Sequence, residues 1–304
     1  MSGRQGGVAI VLALAVVALA ALAATAIVVA QSTWSRQLQL SAGHAQAQRL
    51  IVAGLDWSRA VLGDDRQAGA IDHLGEPWAL RLPAMPVENG SLTGHLEDQQ
   101  GKFNLNNLAA AGQVDPVQLA RFRRLLAMLD LSPMLADAAA DWIDADQLPQ
   151  PQAGAEDAYY LSLPSPHLAA NAPLADLAEL ALVRGYDDDT RARLRPYITA
   201  LPGVTAINVN TAPAEVLAAV IDGLGLDAAR TLVSHRARSP FRDIGEFSAQ
   251  LTGERSLPEQ DIAVSSDYFV AIMAVSIDGA QARGSALLAR RGAGWPSVVW
   301  CKLP

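Results

Sequence analysis

The chain has a single cysteine, Cys301, so an internal disulfide and a cysteine-built zinc site are both excluded. Aromatic residues are scarce, at 5%, while aliphatics abound, as in a globular body joined to a membrane segment. The five histidines, at 44, 73, 95, 167 and 235, are too dispersed for a motif such as H-E-x-x-H, and neither a phosphate loop nor a nucleophile elbow occurs. Positive charge is in deficit too. The net charge of −8 argues against a protein that lives on nucleic-acid phosphates. That deficit is local: residues 114–262 hold 21 acids against 12 arginines, a net of −9, and the remainder is close to neutral. An acidic middle invites a cation or a basic partner.

Two further absences shape the N-terminal fifth of the 304 residues. No charge falls between Arg4 and Arg36, and no proline between Val8 and Leu62. Val8 to Ala30 is apolar apart from Thr25, long enough as a helix, at roughly 35 Å, to cross a bilayer core of about 30 Å. A cleavable secretion signal would have a shorter apolar region, although Ala24-Thr25-Ala26 offers a small-residue site. Arg4 and Arg36 flank the span evenly, so orientation stays undecided. A third reading is a leader, "MSGRQGG", cut between Gly7 and Val8 so that the apolar helix is retained, as in prepilins. Those signals carry a glutamate at the fifth mature position, which here is Leu12. A carboxylate in mid-membrane costs about 2.5–3.5 kcal/mol and persists only with a partner. A subunit with no neighbour ahead of it has no use for one.

Beyond the span, Trp34, Leu38, Ala42, Ala45, Leu50, Ala53 and Trp57 keep a helical spacing. One helix is therefore expected, with 8–30 in lipid and 31–62 amphipathic, although Gly43 and Gly54 each weaken it by about 1 kcal/mol. His44 is expected on its solvated surface. Gln100-Gly101, with Asp98 before it and "KFNLN" after, predicts a β-hairpin, and Asp278-Gly279 predicts another. A last strand, "SVVWCKL", holds Cys301, expected to be packed and inert. These segments, 63–113 and 263–304, form a sheet domain against the long helix, an α+β arrangement. Between them 114–262 reads as an all-helical insertion, with helix starts at Asp115-Pro116 and Ser132-Pro133. Asp187-Asp188-Asp189 caps a further helix.

The most chemical stretch is "DWIDADQLPQPQAGAEDAYY". Asp137, Asp141 and Asp144 share one helix face, Asp144 and Asp146 sit where the macrodipole is negative, and Glu156-Asp157 return after Gly154. Asp141, Asp144, Asp146, Glu156 and Asp157 are thus candidate calcium ligands, because calcium accepts many oxygens from an irregular loop. Alternatives are a solvated loop neutralised by Arg121, Arg123 or Arg124, and a carboxylate pair acting on sugars. Residues 200–262 resemble a helix-hairpin-helix or SAM-like unit. Arg230, Arg236, Arg238 and Arg242 could serve nucleic acid there, in a membrane-anchored DNA-binding protein of a competence-like system, although Leu201-Pro202-Gly203 lacks the second glycine of such hairpins.

Taken together, the leader, the retained helix without its acid, "DQQGKFNLN", "DWIDADQLP", "GAEDAYY" and "LPGVTAINVNTAP" resemble the K-type minor pseudopilins of type II secretion, over nearly the whole chain. The resemblance implies a pilin-like fold with a large helical insertion and a calcium-binding loop. It implies no enzymatic activity and no nucleic-acid partner. It also implies cleavage by prepilin peptidase, a single pass through the bacterial inner membrane and a periplasmic C-terminal domain. The implied place is the pseudopilus tip, in complex with the I- and J-type minor pseudopilins, with the H-type and major pseudopilins as further candidate partners.

Overall fold

The computed structural model describes residues 5–251, 259–277, 279–292 and 294–303; leader residues 1–4 and Asp278 of the second hairpin lie outside them. The proline-free N-terminal stretch forms one continuous helix, α1 (Gln5–Ala68). It starts before Val8 and outruns Leu62 because its last turn is tied to the body by Asp65, which pairs with Arg290. Among the described residues α1 is the one helix long and apolar enough to cross a membrane. Ile10 through Val29 stand exposed along it, and Trp34 and Leu38 beyond them. His44 is exposed, as its position predicts.

α1 then meets a sheet. β1 (Leu82–Val87) and β2 (Gly90–Asp98) precede the insertion, whose elements are β3 (Phe103–Asn104), β4 (Ala109–Ala110), β5 (Gln113–Val114), α2 (Pro116–Met128), α3 (Leu135–Ile143), α4 (Asp157–Tyr160), α5 (Asp188–Leu194), β6 (Ile198–Thr199), β7 (Ile207–Asn208), α6 (Ala214–Val220), α7 (Leu226–Arg236), α8 (Ile244–Ala249) and β8 (Ile262–Ala263). β9 (Tyr268–Ile277), β10 (Ala280–Ala289) and β11 (Ser297–Lys302) complete the sheet. Its order is β1-β2-β9-β10-β11, antiparallel throughout. The expected α+β architecture, long helix on antiparallel sheet with a helical insertion, is what forms. The apolar face of β9 and β10 buries Met273, Val275 and Ala282 against Ile51, Leu55 and Leu62 of α1. Gly54 supplies the close approach there, since a Cβ would sit 2.9 Å from the Met273 sulfur; its helix-weakening cost is offset by packing.

Several expectations are corrected. No hairpin forms at Gln100-Gly101. β2 continues in register with β9 to Asp98↔Phe269, and Asp98, Gln99 and Gln100 are buried rather than at an exposed tip. β3 instead pairs in parallel with β6. The hairpin partner of β2 is β1, closed at Val87↔Gly90, with Asn89 in the left-handed region (φ 61°) that Asn tolerates. β9 and β10 do pair as a hairpin, closed at Ala280↔Ile277, with Gly279 in the left-handed region (φ 81°). Cys301 is exposed, not packed, because β11 is an edge strand. The insertion begins near Phe103 rather than Val114, since Phe103, Leu105 and Leu108 belong to the helical core with Phe122 and Leu125. Nor is it wholly helical, given its short strands. Asp115 caps α2 as predicted, and Asp187 caps α5, but α3 starts at Leu135 without a side-chain cap from Ser132.

A buried polar knot fastens the insertion to the sheet. Asp98 accepts from Gln100 N (2.8 Å), Asn208 Nδ2 (3.1 Å), Thr211 Oγ1 (2.5 Å) and Ser266 Oγ (2.7 Å). Asn106 bridges Leu174 and Leu201 through its amide, and Asn210 holds Phe241 through both of its amide atoms. The asparagines of "KFNLN" and "NVNTAP" thus satisfy buried backbone groups that would otherwise cost about 1–3 kcal/mol each.

Candidate metal centre

α3 is short, alanine-rich and buried, so its acids are carried into the interior: Asp137 and Asp141 are fully buried and Asp144 is 1% exposed. They do not act as one set. Asp137 is claimed by Arg123. Asp141 turns back on the following loop and accepts Gln150 N at 3.1 Å, while Gly154 presses against its carboxylate. Asp157 opens α4 and accepts Ala169 N at 2.9 Å. That leaves Asp144 at the end of α3, Asp146 in the loop and Glu156 before α4, whose carboxylate oxygens lie within 4.8 Å of one another. Of the five candidates, three converge and two brace the loop.

Among the described residues the converged three make no ion pair with a basic side chain. The arginines that could neutralise them are engaged elsewhere: Arg121 with Asp261, Arg123 with Asp137, Arg124 with Asp222. Asp144 Oδ1 and both Glu156 oxygens are buried with no hydrogen-bond partner among the described residues. Burial pushes the Asp144 carboxyl up to about 7, helped by Asp146 and Asp141. Burial pushes Glu156 up to about 8, and Asp141, Asp144, Asp146 and Asp157 add to it. Asp141 rises only to about 6, because the Gln150 and Ala155 amides offset its burial. Orphaned buried carboxylate oxygens, all hard donors on an irregular loop, fit a divalent cation of the calcium type.

A second acidic trio, Asp65, Asp72 and Glu76, shows the contrast. Arg290 sits between Asp65 and Asp72, and Glu76 accepts from His73 N and Trp78 Nε1, so that cluster is already satisfied. In the acidic loop the bracing is steric as well. A Cβ on Gly154 would overlap Asp141 Oδ2 and Gln150 N. Gly154→Ala is expected to cost about 1–3 kcal/mol and to blunt any calcium-dependent rise in melting temperature, read by differential scanning fluorimetry.

Among the described residues, the arginines of the 200–262 segment do not form a phosphate site. Arg236 is buried, donating to Val209 O; Arg230 pairs with Asp227 and Arg242 with Glu246, and Arg238 turns back on Ser234 O of α7. This segment is scaffold, and the DNA-binding reading lapses.

A lone apolar stalk laid on an antiparallel sheet, with a helical body inserted between its strands, defines a pilin-like subunit. Residues 101–203 and 207–265 match two family models, both described as type II secretion system protein K. The chain is 36% identical to type II secretion system protein K of Pseudomonas aeruginosa, over 91% of this chain and 86% of that one. The counterpart in Aeromonas hydrophila is 30% identical over 94% and 93%. In three dimensions it is similar to a chain of the crystal structure of the GspK-GspI-GspJ complex from enterotoxigenic Escherichia coli. That match has a TM-score of 0.79 and 27% identity and covers 88% of this chain and 99% of the other. The chain belongs to the type II secretion system protein K family, and its role is that of a minor pseudopilin.

Proposed function

We propose that the chain stands at the tip of the periplasmic pseudopilus, assembled with the I- and J-type minor pseudopilins, and there initiates and caps the filament that supports export across the outer membrane. The similar structure is described as a complex with GspI and GspJ, which supports those partners for this chain. The observation that carries the reading is the uncovered stalk. Trp34 and Leu38, past the apolar run, are 67% and 54% exposed, an apolar face that neighbouring helices would cover. The insertion is too bulky to repeat along a filament, and Leu12 replaces the acid that a preceding subunit would pair with. Prepilin peptidase would cut between Gly7 and Val8, leaving residues 8–30 in the inner membrane and the rest in the periplasm. Asp144, Asp146 and Glu156 would hold calcium, which supplies the positive charge their burial demands. The subunit is structural rather than enzymatic.

The test is the mature N-terminus in cells with and without prepilin peptidase, together with co-purification of the I- and J-type subunits. Val8 first, only when the peptidase is present, and recovery of both partners are expected. An N-terminus near Ile27 or Gln31 would overturn the stalk assignment, and loss of both partners would overturn the tip.

A further inference from the structure

α1 covers one face of the sheet. The other face carries rows set by register: Glu97, Val270, Leu287 and Trp300 in one, His95, Ile272, Ser285 and Lys302 in the next. Opposite these rows stand α5 and the 3₁₀ turn Leu177–Leu182 of the insertion, and a cavity of about 610 Å³ opens between. That volume lies within the usual range of ligand pockets, about 300–1,000 Å³. Its floor is apolar, made by Val270, Ile272, Leu287 and Trp300.

Its rim is basic. Lys102, Arg191, Arg195, Arg283 and Lys302 line it against Glu97 and Asp176, an excess of three positive charges in a chain of net −8. The sequence contains two lysines, and both are here. Some of this charge is already paired: Lys102 with Glu97 at 3.3 Å, Lys302 with Asp176, Arg191 with the outlying Asp188. The Arg191 Nε is nevertheless buried and without a partner among the described residues. Arg195 and Arg283 are exposed and, among the described residues, make neither a side-chain hydrogen bond nor an ion pair.

We propose that this pocket docks an extended acidic peptide segment of a partner protein, with an apolar side chain on the Val270–Leu287–Trp300 floor and flanking carboxylates on Arg195 and Arg283. Charge complementarity favours an anionic occupant. The apolar floor favours one with side chains over a bare phosphate. A lipid headgroup is disfavoured by position. Gly284 of the pocket wall backs onto Ile51 of α1, 21 residues beyond Ala30, roughly 30 Å along the helix from the end of the apolar run.

The probe is a fluorescein-labelled peptide, acetyl-Asp-Asp-Leu-Phe-Asp-Glu-amide, titrated by anisotropy against the full chain in detergent micelles. Saturable binding is expected, weakened about tenfold by Arg195→Gln with Arg283→Gln and by raising salt from about 50 to about 300 mM. Both arginines are exposed and unpaired among the described residues, so the double variant should keep its melting temperature. If it does not, the lysine-for-acid peptide replaces it, and that peptide should bind at least about tenfold more weakly. Absence of binding, equal binding of the lysine peptide, or indifference of the folded variant to the substitutions would overturn the proposal. So would displacement by inorganic phosphate at about 10 mM, or preferential binding of phosphatidylglycerol vesicles, each marking a simple anion or lipid site. The measurement uses the isolated chain, so its failure is separate from failure of assembly with the I- and J-type subunits.

Discussion

Saturating calcium is expected to raise the melting temperature of the full chain by about 5–10 °C near pH 8, and EDTA to reverse the gain. A ligand at a hundredfold its dissociation constant adds about 2.7 kcal/mol by mass action, and each kcal/mol moves a domain of this size by about 2–4 °C. The site is primed for a large response because its cost without a cation is already in place. Asp144 Oδ1 and both Glu156 oxygens are buried without hydrogen-bond partners among the described residues.

The pH dependence has a definite sign. Asp144 and Glu156 have folded-state values raised to about 7 and about 8, above their ordinary carboxylate range near 4. The metal-free fold therefore prefers them protonated. Their contribution to stability is full below about pH 4 and is lost as pH rises through about 7–8. Calcium needs the ionised forms, so its affinity should climb through that same window. The metal-free and calcium-loaded melting curves should accordingly diverge from about pH 6 to about pH 8. Glu156→Gln sharpens the test: it should abolish the calcium shift yet raise the metal-free melting temperature near pH 8, since no charge is then buried there. Identical melting with calcium and with EDTA near pH 8, or an unchanged calcium shift in Glu156→Gln, would sink the metal reading.

What the sequence disclosed follows from the range of the physics involved. α1 was legible because a proline-free, charge-free apolar run is a local property, and so was the β9–β10 hairpin with its left-handed Gly279. The acidic loop was legible as a spacing, Asp141 to Asp157, but not its division of labour. Whether a carboxylate faces a cation or a backbone amide depends on how the loop folds back, and Gly154 decides that for Asp141. The Gln100-Gly101 turn misled because the same residues that suit a hairpin tip also satisfy buried groups. Gln100 bonds Ala206 O and Asp267 N across the domain joint. Cys301 misled because alternation marks a strand without telling an edge from a centre. Least legible of all was Arg290, in the charged stretch "ARRG" at the end of β10, where nothing local tells the buried Arg290 from the exposed Arg291.

Arg290→Met is expected to cost about 3–5 kcal/mol, a large share of the stability of a domain of this kind. Arg290 is 1% exposed. Its Nη1 donates to Asp65 Oδ2 at 2.6 Å and to Leu62 O at 3.3 Å, and its Nη2 donates to Ser266 O at 3.0 Å and to Asp72. The guanidinium also lies 4.8 Å over the Phe269 ring. One side chain thus joins the last turn of the stalk, the loop after it and the start of β9. Its partners stand 218 to 228 positions away for Asp72, Asp65 and Leu62, which is why no local pattern announced it. Removing the cation leaves Asp72 buried and uncompensated, which costs far more than losing an exposed pair such as Arg230–Asp227, worth about 0–1 kcal/mol. Hydrogen exchange should quicken first at residues 62–72, as the end of α1 frays from the sheet. Adding Asp65→Asn and Asp72→Asn to Arg290→Met should restore most of the loss, because deleting all the charges of a buried cluster is often neutral. A denaturation midpoint for Arg290→Met equal to that of an Arg230→Gln control would show that the guanidinium holds nothing together. A triple variant no more stable than the single would place the loss in packing rather than in charge.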